Sequence, residues 1–251
     1  MHKTEAQLMN LTGHGPQHRR VVPSTLFTSG ERDPTKAFER PPSWDEPDAP
    51  KLLLMGDDPR LSPMPARPTL ADFFKHRFAA HTVTHLLQSA SHARRSGQPD
   101  KVVLACLLHD IAVAGLIRGD HGYWGAQLVE PYVDEEVSWA IRYHQALRFF
   151  PDESVGYAYP KNYRDWFGED YVPDPYIEEA HRVARSHRWY MTSRLITLND
   201  IYAQGPDTSA KLEDFTDLIG QHFRQPKEGL GFDGSPVAHM WRTMIWPTRF
   251  L

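Results

Sequence analysis

The segment DKVVLACLLHDI, residues 100–111, constrains the fold more than any other stretch of the chain. Residues 102–108 are uninterruptedly apolar, and His109 and Asp110 follow directly. A helix that is apolar on every side has no face for solvent, so it has to sit inside a shell of other helices. Its His-Asp end is then drawn inward too, and burying imidazole and carboxylate is costly unless both find partners. A divalent metal satisfies both at once, because it neutralises the carboxylate and takes the imidazole lone pair. A histidine packed at a helix end, with the aspartate as its polar terminus, fits the same pair. The pair alone leaves both readings open.

The flanking sequence supplies the shell. Residues 70–96 read as one or two helices ending before Gly97-Gln98-Pro99. Within HTVTHLLQSASHARR, Val83, Leu86, Leu87 and Ala90 recur at helical spacing, with His81, His85, Gln88, Ser89 and His92 on another side. Asp100 reads as the N-cap of the apolar helix. A short helix follows His121 and stops near Pro131. Asp134 caps DEEVSWAIRYHQAL, where Val137, Ile141 and His144 fall at i, i+4 and i+7, so that His144 lies on a buried face. Residues 151–175, rich in Pro, Tyr and Gly, read as a long loop. Residues 176–203 read as one or two helices, and a last helical stretch near 208–223 precedes an aromatic tail. With no repeat and no run of alternating strands, the expected fold class is all-α.

Residues 1–69 form a different region. Eleven of the 21 prolines fall before residue 69, and no helical period survives them. This segment reads as an irregular arm, with Phe27, Phe38, Trp44 and the apolar run 52–55 as anchors that wrap it on the domain. The expected organisation is an arm over 1–69, a helical domain over 70–204 and a helical, aromatic extension over 205–251.

Composition narrows the function classes. A formal net charge of -4 with no long block of like charges argues against a nucleic-acid or membrane-surface partner. No run approaches the roughly 20 apolar residues of a membrane span, and MHKTEAQLMN lacks the apolar core of a signal peptide. A cytoplasmic location is the default expectation. Cys106, the single cysteine, excludes an intrachain disulfide, and its apolar neighbours make it a buried structural thiol. No Walker loop, dinucleotide-binding glycine fingerprint or Ser-based triad motif is present. The oligomeric state is not legible.

His85, the pair His109-Asp110, and Asp200 in TLNDIYA occur in an order that resembles the HD superfamily. HLLQSASHARRSG followed by VVLACLLHDI is similar to that family's first two helices, and the resemblance spans roughly 72–204. It implies an HD-domain helical bundle. In that superfamily two His and two Asp hold one metal, and an extended pattern with two more histidines holds two metals bridged by the Asp of the HD pair. Here His121 and His144 supply the extra histidines. The resemblance therefore implies His85, His109, His121, His144 and Asp200 as terminal ligands, with Asp110 shared. A surface histidine in a Gly-rich turn and a hydrogen-bonded core histidine are the bland readings of His121 and His144.

HLLQSA, HGYWGAQ and IRYHQALRF more closely resemble the di-iron HD oxygenases that cleave 2-amino-1-hydroxyethylphosphonate and related phosphonates, and more distantly myo-inositol oxygenase. In that group a Lys four residues after the last motif histidine contacts the phosphonate. Here the position is Arg148, which keeps the charge and offers bidentate geometry for an anion; a solvated helix-end cation is the alternative. The group also carries a Tyr about ten residues before the first motif histidine, where this chain has Lys75 and His76. His81 reads as a neighbour of the site or a surface residue, and His92, His181 and His187 as exposed. Tyr157, Tyr159, Lys161, Tyr163 and Arg164 are candidates for a pocket mouth.

Two chemistries suit such a site. A non-haem di-iron oxygenase would use O2 as co-substrate on a small hydroxylated, anionic molecule, with Asp110 and Arg148 as its central residues. A phosphohydrolase would use two metals to activate water and clamp phosphate oxygens. Iron, manganese or magnesium fits the carboxylates, and the histidines favour a transition metal. A degenerate, non-catalytic binding domain is the third reading.

Overall fold

The computed structural model describes residues 61–117, 119–202 and 207–247. All of these belong to one compact unit. Residues 1–60, and with them most of the expected arm and its anchors, lie outside the described residues.

Regular structure among the described residues is helical, and the chain is an all-α bundle. The helices are α1 (Leu70–His76), α2 (Ala80–Arg95), α3 (Asp100–Leu108), α4 (Ile111–Gly115), α5 (His121–Val129), α6 (Glu135–Leu147), α7 (Lys161–Phe167), α8 (Pro175–Arg185), α9 (Tyr190–Tyr202), α10 (Thr216–His222) and α11 (Ala238–Ile245). An isolated antiparallel bridge joins Asp152 and Tyr157. No helix of the described residues is long and apolar enough to cross a membrane.

The apolar run makes α3 the centre of the bundle. Val102 to Leu108 are all buried, and α2, α6, α9 and α10 pack around them. Local signals set several boundaries. Thr69 and Asp72 form a reciprocal capping box at the start of α1. Asp134 accepts the Glu136 amide at the start of α6. Pro175 occupies the first turn of α8, where its missing N–H costs nothing.

Three boundaries differ from expectation. Pro99, not Asp100, is the N-cap of α3. The proline ring holds its own φ near the value needed to enter the helix, and Asp100 becomes an acidic first-turn residue. The stretch 151–175 is not a plain loop, because it contains the 3-10 turn Glu153–Val155 and helix α7. The aromatic tail forms α11 around Trp241, which is fully buried. Its ring meets Phe73 edge-on at 4.7 Å, and its Nε1 donates to the Leu128 carbonyl at 3.1 Å. Those partners come from the first and middle parts of the bundle, so this packing has no local sequence signal.

The C-terminal segment also fastens residues 67 and 68. Leu230 N–H donates to Pro68 O at 2.8 Å. A Cβ on Gly229 (φ +92) would lie 2.6 Å from backbone atoms of Arg67 and Pro68, so only glycine allows this approach.

Candidate metal centre

The central helix does not run through its His-Asp end. α3 stops at Leu108, His109 is its C-cap, and Asp110 (φ -103, ψ 19) breaks the chain before α4. That break leaves the two side chains of adjacent residues free to converge on one point rather than diverge around a helix. Asp120 makes the other sharp turn. It holds a left-handed backbone, φ 49, and launches α5 with His121 as its first residue. Tyr176 steadies it by donating its hydroxyl to Asp120 Oδ1 at 3.0 Å. α2 supplies His85, α6 supplies His144 and Arg148 at its end, and α9 supplies Asp200.

These elements bring all six candidate ligands together. His85 Nε2 is 3.2 Å from His109 Nε2, 3.6 Å from Asp110 Oδ2 and 3.1 Å from Asp200 Oδ1. Asp110 Oδ1 is 3.6 Å from His109 Nε2, 3.2 Å from His121 Nε2 and 3.5 Å from His144 Nε2. Two three-residue sets of donors result, His85-His109-Asp110 and Asp110-His121-His144, with Asp110 common to both.

The donor chemistry fits metal ions. Ligands about 2.1 Å from one ion sit roughly 3.0–3.5 Å from each other, which is the spacing seen here. Asp110 Oδ1 and His144 Nε2 are buried without a hydrogen-bond partner, a costly arrangement that an ion between them relieves. The outer nitrogens are already committed. His109 Nδ1 lies 2.8 Å from Cys106 O, and His144 Nδ1 lies 2.6 Å from Ile141 O. A carbonyl can only accept, so each Nδ1 carries the proton and each Nε2 turns a lone pair inward.

At His144 electrostatics agree with this assignment, whereas at His109 burial is outweighed by the carboxylates of Asp110 and Asp200, which raise the imidazole, so that a bound ion would have to displace its proton. Burial pushes the His144 imidazole down to about 3, so it stays neutral. Burial opposes ionisation of Asp110, but His109 and Arg148 outweigh it and hold its carboxyl well below the usual range. Asp200 is likewise held low against burial, first by Arg148 and then by His109 and His85. Both carboxylates are therefore charged and able to take cations.

Arg148 is part of this cluster rather than a solvated helix-end cation. Its Nε and Nη2 both donate to Asp200 Oδ2, and its Nη1 lies 3.4 Å from His121 Nε2. A cavity of about 420 Å³ opens over the cluster, with His85, Asp110, His121, Arg148 and Asp200 on its polar side. Val113, Phe149, Tyr163 and Phe167 form an apolar wall, and exposed His81 stands at the edge. Gln145 lines this cavity and also a groove of about 470 Å³ between α5, α6 and α8, among Tyr123, Trp124 and Tyr176.

Several other sequence candidates fall elsewhere. Of the five residues expected at a pocket mouth, Tyr163 alone lines the cavity. Tyr157 is buried and donates to Arg148 O at 2.8 Å, Lys161 pairs with Asp165 on the surface, and Tyr159 and Arg164 are outside the cavity lining. His92, His181 and His187 are half-buried rather than exposed. His92 Nδ1 meets Asn199 Oδ1 at 2.6 Å, His181 stacks on Phe150 and His187 on Trp139. Their neighbours come from distant helices, so no local pattern marks them. Lys75 and His76 do not line the cavity. Cys106 is fully buried, and burial pushes its thiol up to about 12, which removes it as a nucleophile. Phe149 and Phe167 were missed by sequence reasoning, because an aromatic in a loop-like stretch carries no sign of which cavity it borders.

A 1-hydroxy-2-(trimethylamino)ethylphosphonate dioxygenase (glycine-betaine-forming) from Leisingera caerulea is 31% identical over 74 residues, covering 26% of this chain and 38% of that enzyme. The profile of the HD domain matches residues 78–228, which is more than half of the chain and contains all six clustered His and Asp residues. With the match and the bundle in agreement, the chain belongs to the HD domain family.

Proposed function

We propose that the chain is a dinuclear metalloenzyme and a non-haem di-iron oxygenase that acts on a small hydroxylated, anionic molecule. The observation that carries the dinuclear reading is the sharing of Asp110 between the two donor sets. His85, His109 and Asp200 would hold one ion with Asp110, and His121 and His144 the other. Bound there, a pair of iron ions supplies the redox chemistry that an oxygenase needs from O2. The oxidative half of the reading is supported by the likeness to the phosphonate dioxygenase, whose matched segment spans 38% of that enzyme.

The chain's own residues define what the cavity accepts. Arg148 places a guanidinium on the polar side, where an anionic group of the substrate would meet Nη1 while Nε and Nη2 stay on Asp200. Phe149, Tyr163 and Phe167 make the rest of the lining largely apolar, with the Arg148 guanidinium 5.8 Å from the Tyr163 ring. A volume of about 420 Å³ suits a molecule of modest size.

The test supplies purified protein with Fe(II), and a panel of small hydroxyphosphonates, polyols and phosphate esters, with and without oxygen. Oxygen uptake that tracks loss of one compound, with about two irons per chain, is the expected result. Phosphate release that persists anaerobically with manganese or magnesium, with no oxygen-dependent turnover, transfers the assignment to a metal-dependent phosphohydrolase. Mössbauer and EPR spectra of the iron-loaded protein report the nuclearity independently of turnover.

A further inference from the structure

α6 and α9 carry His144, Arg148 and Asp200, and a second arginine joins the same two helices. Arg194 on α9 is fully buried. Its Nη1 donates to Leu147 O at 2.9 Å and its Nη2 to Phe150 O at 3.0 Å. Tyr157 donates its hydroxyl to the carbonyl of Arg148, between those two, at 2.8 Å. The carbonyls in the last turn of a helix have no intrahelical partners, and here a buried cation and a buried phenol take that place at the end of α6.

The cation is itself held. Its guanidinium lies over the Tyr157 ring at 4.7 Å, and Nε donates to the Tyr190 hydroxyl at 3.1 Å. Tyr190 in turn donates to Asp152, whose Oδ2 is 3.7 Å from Arg194 Nε. Asp152 is 4% exposed, so both charges are withdrawn from water. A buried ion pair is an expensive way to tie two helices if packing is the only purpose, since well-packed apolar side chains serve at least as well.

Direction gives the arrangement its meaning. Arg148 reaches from α6 to Asp200 on α9, and Arg194 reaches from α9 back to the end of α6. The two contacts on α9 are six residues apart, and those on α6 fall on the same turn. Together they form a reciprocal clamp on the two helices, and one half of it lies in the candidate metal centre.

We propose that Arg194, with Asp152 and Tyr157, is a positioning device that sets the end of α6 against α9 and thereby places Arg148 on Asp200 and His144 beside Asp110. The proposal rests on the reading of the cluster as a metal centre. Tyr157 meets the cluster through the Arg148 carbonyl and Arg194 through the Leu147 and Phe150 carbonyls, so the effect runs through the helix end.

The test measures iron or manganese affinity of the full chain by competition with a chromophoric chelator, alongside circular dichroism and thermal melting. Arg194→Lys keeps a charge but loses the forked contact to two carbonyls, and is expected to stay helical while metal affinity falls about 10-fold, the usual scale for an outer partner of a ligand. Arg194→Met is expected to fall further, so that Lys rescues part of the loss. Arg182→Ala, which removes an exposed pair with Glu179 on α8, is expected to leave affinity unchanged. Folded Arg194→Lys with wild-type affinity overturns the proposal. Should both Arg194 variants fail to fold, Tyr157→Phe decides, because it removes one hydroxyl: weaker metal binding supports the clamp and unaltered binding overturns it. If the wild-type chain itself binds no metal, the metal-centre reading falls and this proposal with it, whereas a metal-binding wild type with unaffected variants defeats this proposal alone.

Discussion

Arg148 and Asp200 divide one carboxylate between two tasks. The guanidinium takes Oδ2 through Nε at 2.8 Å and Nη2 at 2.6 Å, while Oδ1 faces His85 at 3.1 Å and His109 at 3.7 Å. A carboxylate gripped in this way cannot rotate, so the oxygen that would meet a metal is oriented in advance. The same guanidinium lies 3.8 Å from Asp110 Oδ2, which limits the repulsion between the two buried anions.

Replacing Arg148 by Ala leaves Asp200 buried without this cation. In metal-depleted protein the variant is expected to lose about 3 kcal/mol of stability, the scale for breaking a buried pair. Metal-loaded protein is expected to lose less, since bound cations compensate the carboxylates. Denaturant titrations of both forms measure the difference. For an anionic substrate, kcat/KM is expected to fall by roughly 10- to 100-fold, and unchanged kinetics would remove Arg148 from the substrate side of the site.

Asp110→Ala deletes the oxygens common to both donor sets. Metal content is expected to drop to less than half of the wild-type value, because both ions lose a ligand and an offsetting charge. Elemental analysis after dialysis reads this directly. Loss of a single ion, with the other retained at full affinity, would mean that Asp110 is not shared.

Gly122→Ala tests the spacing between α5 and α6. A Cβ there would lie 3.0 Å from the carbonyl oxygens of both Ile141 and Arg142, which are backbone atoms and cannot swing aside. The helices must part, at an expected cost of about 1–3 kcal/mol. His121 and His144 lie on those two helices, so the variant is expected to retain the His85-His109 half of the site and weaken the other. Metal stoichiometry at limiting metal separates the two halves.

Asp152 makes stability fall in acid. Burial opposes its ionisation, but hydrogen bonds from Ser154 and Tyr190, and then Arg185, outweigh that and lower its carboxyl from 3.8 to about 2. A depressed folded-state value contributes stability that is complete above about pH 4 and is lost as the pH falls toward 2. Asp152→Asn is expected to lower stability at neutral pH and to flatten the profile between those limits, as read by thermal melts across pH. A wild-type slope in the variant would assign the acid sensitivity to other carboxylates.

Much of the candidate site is legible in the sequence. Seven consecutive apolar residues ending in His109-Asp110 demand a central helix with a polar end that needs a partner, and helical periodicity put His144 on a buried face. His85, His121 and Asp200 came from motif order, since each lies on a separate helix and no periodicity links them. The helices α7 and α11 were the poorly marked elements. α7 is short and set among Pro, Tyr and Gly, while α11 owes its place to Trp241 packing on Phe73 and donating to Leu128.

The sequence by itself determined that α3 is buried, that the chain's His and Asp residues follow one another in the order of an HD-type donor set, and that Arg148 follows His144 on one helical turn. Family resemblance implied that Asp110 is shared; tertiary structure alone decided that Arg148 binds Asp200 and that Arg194 holds the end of α6. The reason is physical: periodicity and capping are read from residues within a few positions of each other, whereas each of these two arginine contacts joins groups about 50 residues apart, brought together only when the helices pack.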